Sequence, residues 1–337
     1  MNRTNVDSTR TTTCQAPMQK IRQNFDINLQ NEDEDTFDFA ESLSELLGLT
    51  WNIWGVTSLF GLQQDSEVVL KQYAKKLREE VASMLPVDDV SYECNFNILE
   101  TITPRPSHSD LPPIKITITA KMRDKQIKNI YTGIMMSWRT DVPEIDYDES
   151  IKLPILLCRG TKSGMNAVHV VLGNMFDCQI VQLPATEEDL KWLVPIVLNP
   201  SGDDVLDKGE VKFEYRVPGL SASDSITTKN NTKDLIKLWN AVIEDDNDDI
   251  NKNDAKFKVE HVEMFFEILH NQMLMVSGLQ LGLCSLKKII LPTFTIMDNR
   301  IKTSSSEVLN RVLLFFNQKS LEMLHQLNFT STNSTTS

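Results

Sequence analysis

A chain of 337 residues can bury a sizeable core in one large or two modest domains. Its net charge of −13, from 34 Lys+Arg against 47 Asp+Glu, argues against wholesale coating of nucleic acid. No run of about 18 apolar residues offers a membrane span, and the polar start MNRTNVDSTRTTTCQAP does not read as a secretory signal. The five cysteines are scattered with no C-x-x-C pair, so a disulfide framework is not expected and buried thiols in a reducing compartment are.

In chain order, residues 1–40 lack apolar periodicity and carry an acidic stretch from Glu32 to Asp38, which predicts a disordered tail. LTWNIWGV (49–56) is apolar on both faces and predicts a buried strand. Asp65 or Ser66 caps a helix to about Leu85, with Leu70, Tyr73, Leu77, Val81 and Met84 on one face and Pro86 after its end. Lys71, Lys75, Lys76 and Arg78 lie elsewhere around that helix, as a solvated face or as contacts to phosphate. IKITITA (114–120) and IYTGIMMSW (130–138) alternate strictly and predict a hairpin. Between them KMRDKQIKN holds Lys121, Arg123, Lys125 and Lys128 against one Asp124. A basic tip on an acidic protein is either a phosphate-backbone contact or a blunted sheet end.

Residues 153–198 read as strand, glycine turn, helix, strand and helix, with Met165, Val168, Val171, Leu172 and Phe176 on one side of the first helix. Such a unit can hold a nucleotide or phosphate at its turn, which defines an enzyme reading. A phosphate loop needs Lys-Ser or Lys-Thr directly after its last glycine. Gly160-Thr161-Lys162-Ser163-Gly164 has these letters in the wrong order, with one glycine before Lys162 and no four-residue spacer. The plainer expectation is a strand-to-helix connection in which Gly160 supplies a positive φ and Ser163 caps the helix.

VKFEYRV (211–217) is an alternating strand with Val211, Phe213, Tyr215 and Val217 inward. A helix from Lys233 carries Leu235, Leu238, Trp239 and Val242. A longer one from about Asp254 to Ser277 turns Val262, Phe265, Phe266, Leu269 and Met273 inward, with Gly278 as its stop. His261 and His270 lie nine apart on it and make no metal pair. The acidic run Asp245–Asp249 has Ile250 and Lys256 where a calcium loop needs Gly and Glu, so it reads as a solvated loop. Residues 279–302 form two apolar strands, predicted as an edge hairpin. Ser304 and Glu307 then make a capping box before VLNRVLLFF, and the tail from Thr330 reads as loose.

Four pieces together resemble the centromere protein L family of the inner kinetochore. They are LLGLTWNIWGVTSLFGL followed by LKQYAKKL, the block LPILLCRGTKSGMNAVHVVLGNMFDC, the pair KDLIKLW and VEMFFEILHNQ, and the close DNRIKTSSSEVLNRVLLFF. They span residues 46–318, and the Pro-rich 104–113 insert and the acidic 245–254 loop depart from the pattern. The expected fold class is α+β, with mixed, largely antiparallel sheets, packed helices, and a C-terminal β-hairpin plus helix. The expected division is a 1–40 tail, a 41–200 domain, a 201–329 dimerisation domain and a 330–337 tail. The resemblance implies a non-catalytic nuclear subunit of the constitutive centromere-associated network, without a cofactor, that works at the centromere in chromosome segregation. It implies a heterodimer with centromere protein N through the C-terminal β region, with homodimers known among related proteins. It further implies contact with centromere protein C and a weak or indirect grip on the centromeric nucleosome or its DNA. The partner surface predicted on the hairpin is Leu281, Leu283, Ser285, Leu286, Lys287, Ile289 and Leu291. The predicted DNA contacts are Lys71, Lys75, Lys76, Lys121, Arg123, Lys125 and Lys128.

Overall fold

A computed structural model describes residues 43–86, 89–99, 111–123, 126–138, 150–198, 209–221, 224–244 and 258–333. The expectations for the 1–40 tail, Lys125, residues 104–110 of the Pro-rich insert and the acidic 245–249 run lie outside these residues. The described residues gather into two compact units, 43–236 with 283–333, and 237–282.

The larger unit is built on one broad sheet of eleven strands. Its N-terminal strands are β1 (Thr50–Val56), β3 (Val90–Ile98), β4 (Ile114–Met122), β5 (Ile127–Met136), β7 (Ile155–Gly160) and β8 (Ile180–Gln182). Its later strands are β9 (Glu210–Arg216), β10 (Ser225–Asn231), β11 (Ser285–Ile290), β12 (Phe294–Met297) and β13 (Arg300–Thr303). The order is β10-β9-β11-β12-β13-β1-β7-β5-β4-β3, with β8 beside the C-terminal half of β1. Two short strands, β2 (Leu59–Phe60) and β6 (Ser150–Ile151), pair separately. Every pairing among the described residues is antiparallel, and the fold class is α+β. Strands from before and after residue 200 join in this one sheet.

Helices cover both faces of its middle. On one face lie α1 (Glu67–Met84) and α2 (Lys162–Phe176), and Leu70, Leu77 and Val81 meet Val168, Leu172 and Phe176 over Ile116, Ile118 and Leu156. On the other lie α3 (Glu187–Leu198) and α6 (Ser306–Asn333), with α6 against β1, β7 and β13. This double cover explains why β7 reads as an unbroken apolar run: Ile155, Leu156, Leu157 and Cys158 are all fully buried. At Gly55 the approach of α6 is so close that an added Cβ would lie 2.9 Å from both Ser320 Oγ and Met323 Cε. Trp138 is fixed to α6 twice, its backbone N–H donating to Asn317 Oδ1 and its indole N–H to Asn310 Oδ1, each at 3.0 Å.

Local chemistry accounts for the helix starts and corrects three expectations. Ser66 caps α1, accepting from the Val69 N–H at 3.5 Å. In α2 the cap is Thr161, not Ser163, because the Thr161 hydroxyl accepts from the Gly164 N–H at 3.1 Å. Before α6 the cap is Ser305, not Ser304. Its hydroxyl accepts from Val308 N–H at 3.4 Å, while Glu307 turns to Arg311 one turn along. Thr186 and Asp189 bond reciprocally at the head of α3, and Lys319 of α6 joins the buried Asp189 as an ion pair. At its other end α6 runs through Asn333, so Thr330 to Asn333 continue the helix.

The 237–282 unit holds most of α4 (Thr232–Glu244) and all of α5 (Val259–Ser277). Lys258 precedes the first turn of α5, so that helix starts later than Asp254. Trp239 meets Phe265 edge to face at 5.7 Å, and Phe265 meets Phe266 at 5.3 Å. Gly278 ends α5 at φ 70°, the left-handed cap that the sequence predicts. His261 is buried, its Nδ1 accepting from the Lys258 N–H at 3.4 Å, and His270 leans on Phe266.

Candidate interaction surfaces

The glycine turn of the 153–198 unit is packed. Gly160 has φ +155°, and a Cβ there would lie 2.2 Å from the Ile130 carbonyl oxygen of β5. The Thr161 N–H donates to that same carbonyl at 3.0 Å, and the Gly164 N–H is held by the cap. A phosphate would need these N–H groups free and turned outward. The unit is not a direct strand-helix-strand crossover either, since β1 lies between β7 and β8 and pairs with both.

Behind the turn lies a buried polar cluster. His169 of α2 meets Trp54 at 4.6 Å and Tyr131 at 5.9 Å, both edge on. Among the described residues neither His169 Nε2 nor the Tyr131 hydroxyl has a hydrogen-bond partner. Burial lowers the His169 pKa to about 4 and raises the Tyr131 phenol well above its usual range. Burial likewise pushes Cys94 and Cys158 up to about 12 and Cys178 up to about 11, so all three stay protonated and unreactive thiols. Among the described residues no group of three His, Cys, Asp or Glu is arranged to hold a metal ion, and no helix is long and apolar enough to cross a membrane.

The predicted edge hairpin is placed differently. Residues 279–302 contain a short 3-10 turn, Leu281–Leu283, and then β11, β12 and the start of β13. β11 pairs with β9 on one side and β12 on the other, so its backbone N–H and C=O groups are taken and no further strand can be added there. Leu281, Leu286, Ile289 and Leu291 are buried within the chain, Ser285 is half-buried, and Leu283 and Lys287 are exposed. Lys287 stands at a bulge, unpaired between Leu286 and Lys288 in the register with β9. The open edge at this end of the sheet is β10, which no periodicity marked. Its sequence SITTKNN has one apolar side chain, and Thr228 alone is buried.

At the opposite end, α1 lies along β3. Tyr92, Cys94, Phe96 and Ile98 alternate with Ser91, Glu93, Asn95 and Asn97, a period-2 signal that could have marked β3 from sequence. Helix and strand enclose a groove of about 320 Å³ lined by apolar Leu70, Ala74 and Phe96 and by charged Glu67, Lys71, Lys75 and Arg78. Lys71 pairs with Glu67 at 2.7 Å, both largely exposed.

The structure separates the predicted DNA contacts. Lys71 and Lys75 line this groove together, whereas Lys76 lies outside its lining. On the β4–β5 hairpin, Lys121 pairs with Ile127 and Lys128 with Ala120, so the period-2 pleat sends the two lysines to opposite faces. Arg123 makes an exposed ion pair with Asp89. Strands run to Met122 and from Ile127, so the tip is tighter than the nine-residue loop predicted.

No curated protein matches the chain. The family model for centromere protein L matches residues 45–327, most of its length, and the chain belongs to the centromere protein L family.

Proposed function

We propose that this chain is a non-catalytic structural subunit of the inner kinetochore that pairs with centromere protein N and helps attach the kinetochore to centromeric chromatin in the nucleus. Family membership supports a kinetochore role at the centromere. The observation that carries the pairing is the free edge of β10, which bonds to β9 along all seven of its residues and has no strand on its other side among the described residues. An open row of N–H and C=O groups is what strand addition satisfies. Exposed Leu283 and Lys287, from the predicted partner surface, lie at the start of β11, whose Ser285 pairs with Arg216 of β9. Centromere protein C and other inner-kinetochore subunits complete the proposed partner set, and DNA is met through Lys71, Lys75, Lys76 and the hairpin-tip lysines.

The pairing is tested with proline. In an antiparallel strand, one of any two neighbouring residues turns its N–H towards one side and the next towards the other. Ile226→Pro and Thr227→Pro therefore remove, between them, one donor facing β9 and one facing the open edge. The variant that loses the outward donor is expected to fold and to fail to co-purify with centromere protein N. Co-purification at the wild-type level by that folded variant would place the interface elsewhere.

A further inference from the structure

We infer that the outer edge of β3 takes up an extended, acidic segment of a partner protein as a further strand, lying in the groove beside α1. This reading does not rest on the pairing through β10. Backbone direction is the first argument. The Leu99 N–H donates to the Pro113 carbonyl at 2.8 Å, and β3 runs against β4 in unbroken register from Val90 to Ile98. In an antiparallel ladder, residues whose backbone groups face the paired strand alternate with residues whose groups face away. Leu99 faces β4, so Tyr92, Cys94 and Phe96 turn their N–H and C=O groups to the outer side. Among the described residues nothing bonds to these groups.

The path of the groove is the second argument. Cys94, Asn95, Phe96 and Asn97 line it in succession. Neighbouring side chains of a strand point to opposite faces, so a groove that touches all four runs along the edge. A strand added there lies about 4.8 Å from β3, with every second side chain turned to α1. Leu70, Ala74 and Phe96 offer those side chains apolar contact. Charge is the third argument. The α1 side carries Lys71, Lys75 and Arg78 against Glu67. Among the described residues Lys75 has no ion-pair partner, and the Lys71–Glu67 and Arg78–Glu79 pairs are too exposed to compete with several carboxylates at once. Lys71 and Lys75 stand about 6 Å apart along the helix axis, close to the ~6.8 Å between alternate residues of a strand. Carboxylates at alternate positions of the added strand therefore meet them in step. A second copy of this chain would set the same cations against these, which disfavours pairing of β3 with itself.

The probe is a labelled peptide, Val-Thr-Val-Thr-Glu-Thr-Glu-Thr-Glu, matched to the nine residues of β3 and titrated against the full chain by fluorescence anisotropy. It is expected to bind, and the same peptide with Lys for Glu is not. Lys71→Gln with Lys75→Gln should weaken binding about tenfold. Two further peptides are N-methylated, one at its Thr nitrogens and the other at its Val and Glu nitrogens. Only one of these sets faces β3, so one version should bind about tenfold more weakly and the other close to the parent. Amide hydrogen exchange followed by NMR should slow at Tyr92, Cys94 and Phe96 when the peptide is bound. If the acidic peptide fails to bind at millimolar concentration, or the Lys peptide binds as well, the charge matching is wrong. If both N-methylated peptides bind like the parent, strand addition is wrong, and protection confined to β10 would place the peptide on the other edge.

Discussion

At one end of the main sheet β3 pairs with β4 through nine residues and lies under α1; at the other, β10 pairs with β9 through seven, and among the described residues neither end strand has a partner on its outer side. The β3 end is held by side chains. Phe96 is 6% exposed and leans on Tyr73, which in turn meets Phe176 of α2 edge on. The β10 end is held chiefly by its ladder, with Thr228 as its single buried side chain. The contrast teaches that two end strands of one sheet can be held by different means, β3 by side chains packed against a helix and β10 mainly by its backbone bonds.

Substitutions at the two ends should separate these modes of anchoring. The largest effect is expected from Phe96→Ala, which removes a buried β3 ring packed against Tyr73 of α1 and should cost about 3–5 kcal/mol, seen as a lower urea midpoint. Lys319→Met comes next. It leaves the Asp189 carboxylate buried without its cation, at a cost of about 3 kcal/mol in the same assay. Thr228→Ala at the β10 end should cost only about 1 kcal/mol, and a loss as large as that of Phe96→Ala would show that β10 is anchored by packing after all.

Acid should weaken the two ends unequally. His169 has a folded pKa of about 4 against 6.5 for the unfolded chain. Its folded value is depressed, so below pH 6.5 the unfolded state binds the proton first and stability falls towards pH 4. At pH 5 the loss should be about 2 kcal/mol, and His169→Phe should remove most of it. Hydrogen exchange at pH 5 should show β5 and α2 opening before β9 and β11. The smallest effect concerns DNA. If binding runs through α1, changing Lys71, Lys75 and Lys76 to Gln should flatten the log–log salt dependence by about 0.9 per lysine. Changing Lys121 and Lys128, which face opposite sides, should then leave the slope unchanged.

The sequence by itself determined which stretches become elements wherever burial is one-sided or complete. β1, β4, β7, β9, α1, α2, α4 and α5 were legible because apolar residues recur at the period of the element or fill it. The family was legible as well, since the order of LLGLTWNIWGV, LPILLCRGTKSGMNAVH and DNRIKTSSSEVLNRVLLFF survives without any single signature. Neighbourhood was decided only in three dimensions. β10 was illegible because its pairing uses backbone groups that every residue carries, and SITTKNN leaves no apolar trace of them. The edge position of β11 was misread because an apolar strand looks the same from sequence whether one or both of its backbone sides are paired. The caps moved from Ser163 to Thr161 and from Ser304 to Ser305, since several adjacent hydroxyls suit the role and only the chain's path selects one. The lysines of α1 were plain in the sequence, but their gathering with Phe96 into one groove was not. That depends on β3 folding back along α1, a contact between residues about 20 positions apart that no local pattern encodes.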